Sequence, residues 1–182
     1  TKQDIGEIAE LGNKIAECYY KLPKQVRRGK PEIVISTSFF VPKPFTPFQW
    51  VPMNAMEEFL QKQRIVSARL KEMRNGRSIR YNWHDADTTL MEGIFARGDR
   101  RLSKSILDAY RAGCIYDAWS EYFKFGLWME IFKQNGVDPA FYTTRERAQD
   151  EIFPWDFIDA GITKEFLWRE YQKGLAEVVT PN

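Results

Sequence analysis

Histidine is almost missing from this chain. His84 is its one copy among 182 residues, and cysteine occurs only at Cys18 and Cys114. One His and two distant Cys cannot build a zinc or iron–sulfur site from this chain alone. No apolar run reaches the roughly 18 residues that a bilayer-crossing helix needs, and no secretory leader is expected. P-loop, dinucleotide-type glycine fingerprint and nucleophile elbow are all lacking. So are internal repeats and low-complexity tracts. The net charge of +2 is too small to argue for nucleic acid as a partner. Isolated cysteines suit a reduced, cytoplasmic protein.

Rings and prolines are what the chain has in abundance. Aromatic residues make up 15% of it, so a core or cleft rich in rings is expected. FFVPKPFTPFQW, Phe39 to Trp50, sets three prolines and five aromatic side chains in twelve residues. Hairpin chemistry would use Asn-Gly here, and a disordered linker would not carry so many rings. A stiff apolar exit from a strand is expected.

That strand is PEIVISTSFF. Ile33, Val34 and Ile35 are contiguous, which suits a strand covered on both faces in a parallel sheet. Before it, Ile5, Ile8, Leu11 and Ile15 keep helical spacing from about Lys2 to Tyr20, and Pro23 forbids continuation. After the proline segment, Asn54 and Glu57 resemble a capping box that opens a helix ending at Asn75-Gly76. RSIRYNWHD comes next as a weaker strand with Ile79, Tyr81 and Trp83 on one face. From Ala86 onward only helices are expected, over about Thr88–Arg97, Arg100–Ala112, Tyr116–Gln134 and from Thr163. Gly98 ends the first of these, and Asp99 caps the second. Ile162 and Leu167 form a hydrophobic staple on the last. The expected fold class is helix-rich α/β, with residues 1–84 carrying the strands and 85–182 helical. Two strands cannot close a barrel, so the sheet is incomplete within the chain.

Several places invite chemistry, each beside a plainer reading. His84 and Asp85 in NWHDAD suit a general acid or base. They equally suit a strand-to-helix turn with Asp87 as a cap. RGDRR places Arg97, Asp99, Arg100 and Arg101 where paired guanidiniums grip phosphate or carboxylate. The same residues also read as a helix end followed by a helix start. Arginines on a first helical turn oppose the dipole, which keeps a specific anionic partner in play. Asp156 and Asp159 in PWDFIDAG are a carboxylate pair, or ordinary turn residues. KLPKQVRRGK holds five basic residues between Lys21 and Lys30, read as a solvated helix end, with docking to RNA or an acidic partner as the rival. YDAWSEYFKFGLWMEIF reads as a core helix with rings on every face.

FVPKPFTPFQW, HDADTTLMEGIFARGDRR, YDAWSEYFKFGLWMEIF and DEIFPWDFIDAGITKEFLWREY, in that order, resemble the cobalamin-binding-type radical SAM proteins. These large bacterial proteins join a cobalamin-binding-like domain to a radical S-adenosylmethionine (SAM) core. The resemblance covers nearly the whole chain. It implies that residues 1–84 are the last helix and strand units of a partial (β/α)6 barrel, and that 85–182 are the helical region after it. TKQDIGEIAEL resembles the segment just after the family's Gly-Leu-Pro-Thr-Glu strand end, and VVTPN resembles the lead-in to a Cys-rich segment. Both ends therefore read as cuts from a longer polypeptide. FVPKPFTPF is similar to the Pro-rich segment ending the sixth barrel strand in methylthiotransferases, where the strand helps wall the SAM site.

By that resemblance Ser36, Phe40, Val41, Pro42 and Lys43 line part of a SAM pocket. His84, Asp85, Arg97, Asp99, Arg100, Arg101, Asp156 and Asp159 lie toward the substrate. The parent reaction is reductive cleavage of SAM to a 5′-deoxyadenosyl radical at a [4Fe–4S] cluster, with cobalamin a further cofactor the family name suggests. The resemblance names no substrate, and RNA stays open. Two departures stand out. A His often stands in the family at Phe45 and at Phe157, and the three-cysteine cluster loop is absent, so the chain is not expected to be catalytic alone. The rest of the parent polypeptide is the first expected partner, and no membrane is. Stripped of parallel neighbours, Ile33–Ile35 are expected to drive self-association. The rival is a non-catalytic module that binds RNA or a protein partner.

Overall fold

In the computed structural model, which describes residues 1–178, the chain is helix-rich α/β with two strands and seven α-helices among the described residues. All of VVTPN beyond Val178 lies outside them. Two structural units are present: Thr1–Phe39 with Ala55–Ala86, and Phe40–Asn54 with the chain from Asp87 onward. The proline-rich segment, grouped by sequence with residues 1–84, thus belongs with the second unit.

The first unit begins with α1, Lys2–Lys21. Thr1 caps it, its hydroxyl accepting from the Asp4 amide at 3.3 Å. Pro23 stops it, and Leu22 is already extended. Its buried stripe is Ala9, Gly12 and Ala16 with Ile5 and Ile8 alongside. Leu11 and Ile15, expected in that stripe, are exposed. Small residues win the contact because α1 lies close on the sheet: a Cβ on Gly12 would come within 2.7 Å of Ile35 Cδ1. The basic stretch after α1 is exposed, and Arg27 holds it by donating to the carbonyls of Leu22 and Tyr20 at 2.8 and 2.6 Å.

β1 (Ile33–Thr37), α2 (Met56–Glu72) and β2 (Ile79–Trp83) form a parallel crossover unit, with Ile33 beside Ile79 and Thr37 beside Trp83. The cap of α2 sits one residue later than the sequence suggests, with Glu58 accepting from the Ala55 amide at 2.7 Å. Both α1 and α2 pack on the face carrying Ile35, Ile79 and Tyr81, where Val66 and Leu70 complete the core. The expectation of two covered faces fails, since Val34 is 49% exposed. Its face bears Ser36, Arg80 and Asn82, all exposed, which no apolar layer would tolerate.

In the second unit, α3 (Ala86–Ala96), α4 (Ser103–Arg111), α5 (Phe125–Gln134) and α6 (Pro139–Tyr142) surround Ile94, Leu102, Ala109, Trp128, Ile131 and Phe132. α7 (Lys164–Leu175), capped by Thr163, packs against a second cluster of Trp50, Phe153, Trp155 and Leu167. Trp50 is the hub, with Trp168 at 4.9 Å, Phe153 at 5.9 Å and Tyr171 at 6.1 Å between ring centroids. Burying one such indole contributes on the order of 5 kcal/mol of transfer free energy before entropy. The prolines of FFVPKPFTPFQW hold a series of turns that delivers Trp50 to this position.

A single helix from Tyr116 to Gln134 does not form; Asp117–Tyr122 are turns, Phe123 and Lys124 are irregular, and α5 starts at Phe125. The reason is a bond that a helix forbids. Trp128 Nε1 donates to Asp117 Oδ2 at 2.9 Å, whereas eleven helical residues would set those positions about 16 Å apart.

Candidate functional site

Parallel strands present ligands at their carboxyl ends. In the first unit those ends are Thr37 and Trp83. The His84 amide extends the ladder by donating to the Thr37 carbonyl at 3.2 Å, and the Thr37 and Tyr81 hydroxyls share a hydrogen bond of 3.0 Å. The side chains of His84 and Asp85 are exposed just past this edge. Asp87 lies inside α3 and not at its cap position, contrary to the turn reading. Ser36 and Asn82 are side by side on the open face, with Val34 and Arg80 one step back. Hydroxyl, amide and guanidinium together offer donors to a polar ligand bearing a carboxylate or sugar hydroxyls.

The other expected SAM-wall residues belong to the second unit. Val41 and Pro42 are buried, so their side chains serve packing there. Phe40 is 52% exposed and meets Phe48 edge-to-face at 5.7 Å. Lys43 pairs with Glu92, and its carbonyl accepts from the Thr46 hydroxyl at 2.8 Å.

Two stretches far apart in sequence meet in the second unit. Gly98–Arg101 on one side, and Ile152, Phe153, Pro154 and Phe157 on the other, line one open cleft of about 590 Å³. The four charged residues of RGDRR have separate fates around it. Arg97 is wholly buried, donating to the carbonyls of Val51 at 3.0 Å and of Gln49 and Thr143 at 3.3 Å. Burial, then the neighbouring charges of Arg147 and Arg145, push its pKa down to about 10. Asp99 caps the turn by accepting from the Arg101 amide at 2.9 Å, and its carboxylate takes Arg101 Nε and the Tyr142 hydroxyl as well. These hydrogen bonds, Arg101's foremost, hold Asp99 below the usual carboxylate range. Arg100 and Arg101 are both exposed, but Arg100 alone of the three arginines makes no hydrogen bond or ion pair among the described residues.

Behind the cleft stand residues that sequence did not single out. Arg145 grips Glu151 with two bonds of 2.8 and 2.7 Å, which lowers the Glu151 pKa. The Phe141 ring receives Arg145 at 4.4 Å and Arg101 at 4.6 Å. Arg147 is buried over Phe153 and Trp155, at 5.4 Å from each ring. Alternating charge in TTRERAQDEIF reads as surface, so nothing in the sequence signalled these burials. Asp156 and Asp159 do turn chemistry: they accept from the amides of Phe153 and Gly161 at 2.9 and 2.8 Å, and Asp156 also pairs with Lys164. Phe157 is 86% exposed on the cleft rim, and Ile152 is 87% exposed.

The donor set does not fit an iron–sulfur cluster. Cys18 is exposed on α1, Cys114 is buried in the other unit, and no three His, Cys, Asp or Glu side chains converge among the described residues. Among those residues no helix is long and apolar enough to cross a membrane. Comparison with family models, curated proteins and solved structures gives no match for this chain.

Proposed function

We propose that this chain is the closing sector of a radical SAM barrel and forms part of the SAM-site wall. The observation that carries this is the two-faced parallel pair. Helices α1 and α2 cover one face, and the other is polar and open, bearing Ser36, Arg80 and Asn82. Barrel strands have that character, with helices outside and ligand-facing side chains toward the carboxyl ends inside. Bound there, SAM would supply radical chemistry, and cobalamin in the parent remains part of the proposal. Ser36 and Asn82 bind and orient SAM, and Arg80 offers its carboxylate a partner. His84 and Asp85 lie on the substrate side. Cluster ligation falls to parts of the parent polypeptide outside this chain. The test is S-adenosylhomocysteine binding to the full-length protein. Ser36→Trp and Arg80→Ala should each weaken binding at least tenfold; unchanged affinity in both, or a full-length sequence without a CxxxCxxC loop, would sink the reading.

A second reading, an RNA-binding module, rests on Arg100 and Phe157, an unpaired guanidinium and an exposed ring that line one cleft. Cation and stacking ring are the two elements of single-strand recognition. RNA affinity should then fall with salt and vanish in Arg100→Ala and Phe157→Ala. Arg101→Ala should matter less, since Asp99 already holds that guanidinium.

Self-association belongs to the first reading. Each strand has one neighbour among the described residues, and the Val34 face is open. The isolated chain pairs with a copy across this face or edge; a monomer at all concentrations in sedimentation would refute that.

A further inference from the structure

The turns between α4 and α5 hold large rings where solvent reaches them. Tyr116, Trp119 and Tyr122 are 58%, 56% and 56% exposed. Their spacing of three is fixed by successive turn bonds, Trp119 N to Tyr116 O at 3.1 Å and Tyr122 N to Trp119 O at 2.9 Å. Bonds of this i to i+3 kind bring side chains three apart onto one side. Tyr116 lies 6.1 Å from Trp119 at an interplanar angle of 72°, and 5.9 Å from Tyr122 at 56°. Rings at such angles are not stacked away against one another. They stand as walls of a corner that opens to solvent.

A carboxylate is held in the same turn, one residue after Tyr116. Asp117 Oδ2 accepts from Trp128 Nε1 at 2.9 Å, and Trp128 is a buried core residue of α5. Its other oxygen, Oδ1, is buried without a hydrogen-bond partner, and Asp117 makes no ion pair among the described residues. The basic side chain of the same loop, Lys124, is engaged elsewhere, donating to the Gly113 carbonyl at 3.1 Å. Glu121 adds a second, exposed carboxylate within the turns. Aromatic faces carry the negative lobe of the ring quadrupole, so angled rings beside a carboxylate attract a cation. A primary ammonium keeps its water shell in so exposed a place. A methylated one is weakly hydrated, and its methyl groups gain contact with the rings.

We propose that Tyr116, Trp119 and Tyr122 form a binding site for a methylated ammonium group, with Asp117 supplying the opposite charge. The group belongs either to a small quaternary ammonium ion or to a methylated lysine side chain. The site is independent of the barrel reading and stands or falls alone. Calorimetric titration of the 182-residue chain tests it, with tetramethylammonium, choline, the neutral choline isostere 3,3-dimethyl-1-butanol and a short trimethyllysine peptide as probes. Choline should bind at least tenfold more tightly than the isostere. Trp119→Ala should abolish cation binding, and Tyr122→Ala should weaken it at least fivefold, with thermal unfolding unchanged in both because the rings are exposed. Tighter binding of the peptide than of tetramethylammonium assigns the group to a modified protein, and equal binding assigns it to a free ion. No measurable cation binding, equal affinity for choline and its isostere, or undiminished binding in either folded variant overturns the proposal.

Discussion

Arg97 donates to the carbonyl of Thr143 at 3.3 Å, and neither residue is more than 1% exposed. With its bonds to Val51 and Gln49, this guanidinium ties the segment before α2 to the loop after α6. Removing it leaves the Gln49 and Val51 carbonyls without this donor, each costing about 1–3 kcal/mol if left unmade, and opens a cavity at a wholly buried site, while the Thr143 carbonyl keeps the Met53 amide at 2.9 Å. Arg97→Met should therefore destabilise the chain by about 3–5 kcal/mol. Arg100→Ala, three residues on and exposed, should stay within about 0.5 kcal/mol. Thermal unfolding of the two variants checks this, and equal losses would refute the division of RGDRR into structural and free arginines.

Acid should loosen the same region through Glu151. Hydrogen bonds from Arg145, opposed by burial, lower its carboxyl below the ordinary 4.5. A lowered folded pKa means that the unfolded chain binds the proton more readily. The stabilisation is then complete above about 4.5 and is lost as pH falls through the lower folded value. Both side chains are only partly buried, so solvent screening keeps it near 1 kcal/mol. Glu151→Gln should cost that much at neutral pH and nothing at the acid end; a cost independent of pH would contradict the assignment.

Local chemistry made much of this fold legible, and long-range bonds hid the rest. Pro23 ends α1 and Asp99 caps the turn before α4 as the residues suggest, because each acts within a few positions. The contiguous Ile33–Ile35 run does belong to a parallel strand, but its far face is open where a buried strand was expected. Adjacent Glu57 and Glu58 left the α2 cap ambiguous by one residue. Asp117 and Trp128 broke an apparently continuous helix by a contact that no local pattern encodes. The cleft was half legible: RGDRR and PWDF each stood out, while their meeting, and the burial of Arg97 and Arg147, depend on tertiary packing.

Glycine positions separate close approach from free backbone. A Cβ on Gly76 would sit 2.1 Å from the Leu70 carbonyl oxygen, a backbone atom that cannot turn aside. Gly6, inside α1, has nothing within 4 Å of such a Cβ. Gly76→Ala should destabilise by at least about 1 kcal/mol, and Gly6→Ala should stabilise by about 0.5–1 kcal/mol through helix propensity. Denaturant midpoints of the two variants carry the test, and a shift of the same sign in both would count against it.

Phe45 is held in the left-handed region at φ 58°, where few residues other than glycine settle. Its amide donates to Gln49 Oε1 at 3.3 Å, and that same oxygen accepts from buried Trp155 Nε1 at 2.8 Å. The ring packs on the Trp50 cluster. Backbone strain of about 1–3 kcal/mol survives only where surroundings over-determine it, and here one glutamine and four buried side chains do so. Leu and Ile would lose similar ring contacts, but a β-branched side chain tolerates positive φ far worse. Phe45→Ile should therefore be less stable than Phe45→Leu by about 1 kcal/mol or more. Equal stability of the two would mean that the turn relaxes out of the left-handed conformation, and with it the path by which the proline segment delivers Trp50 to its cluster.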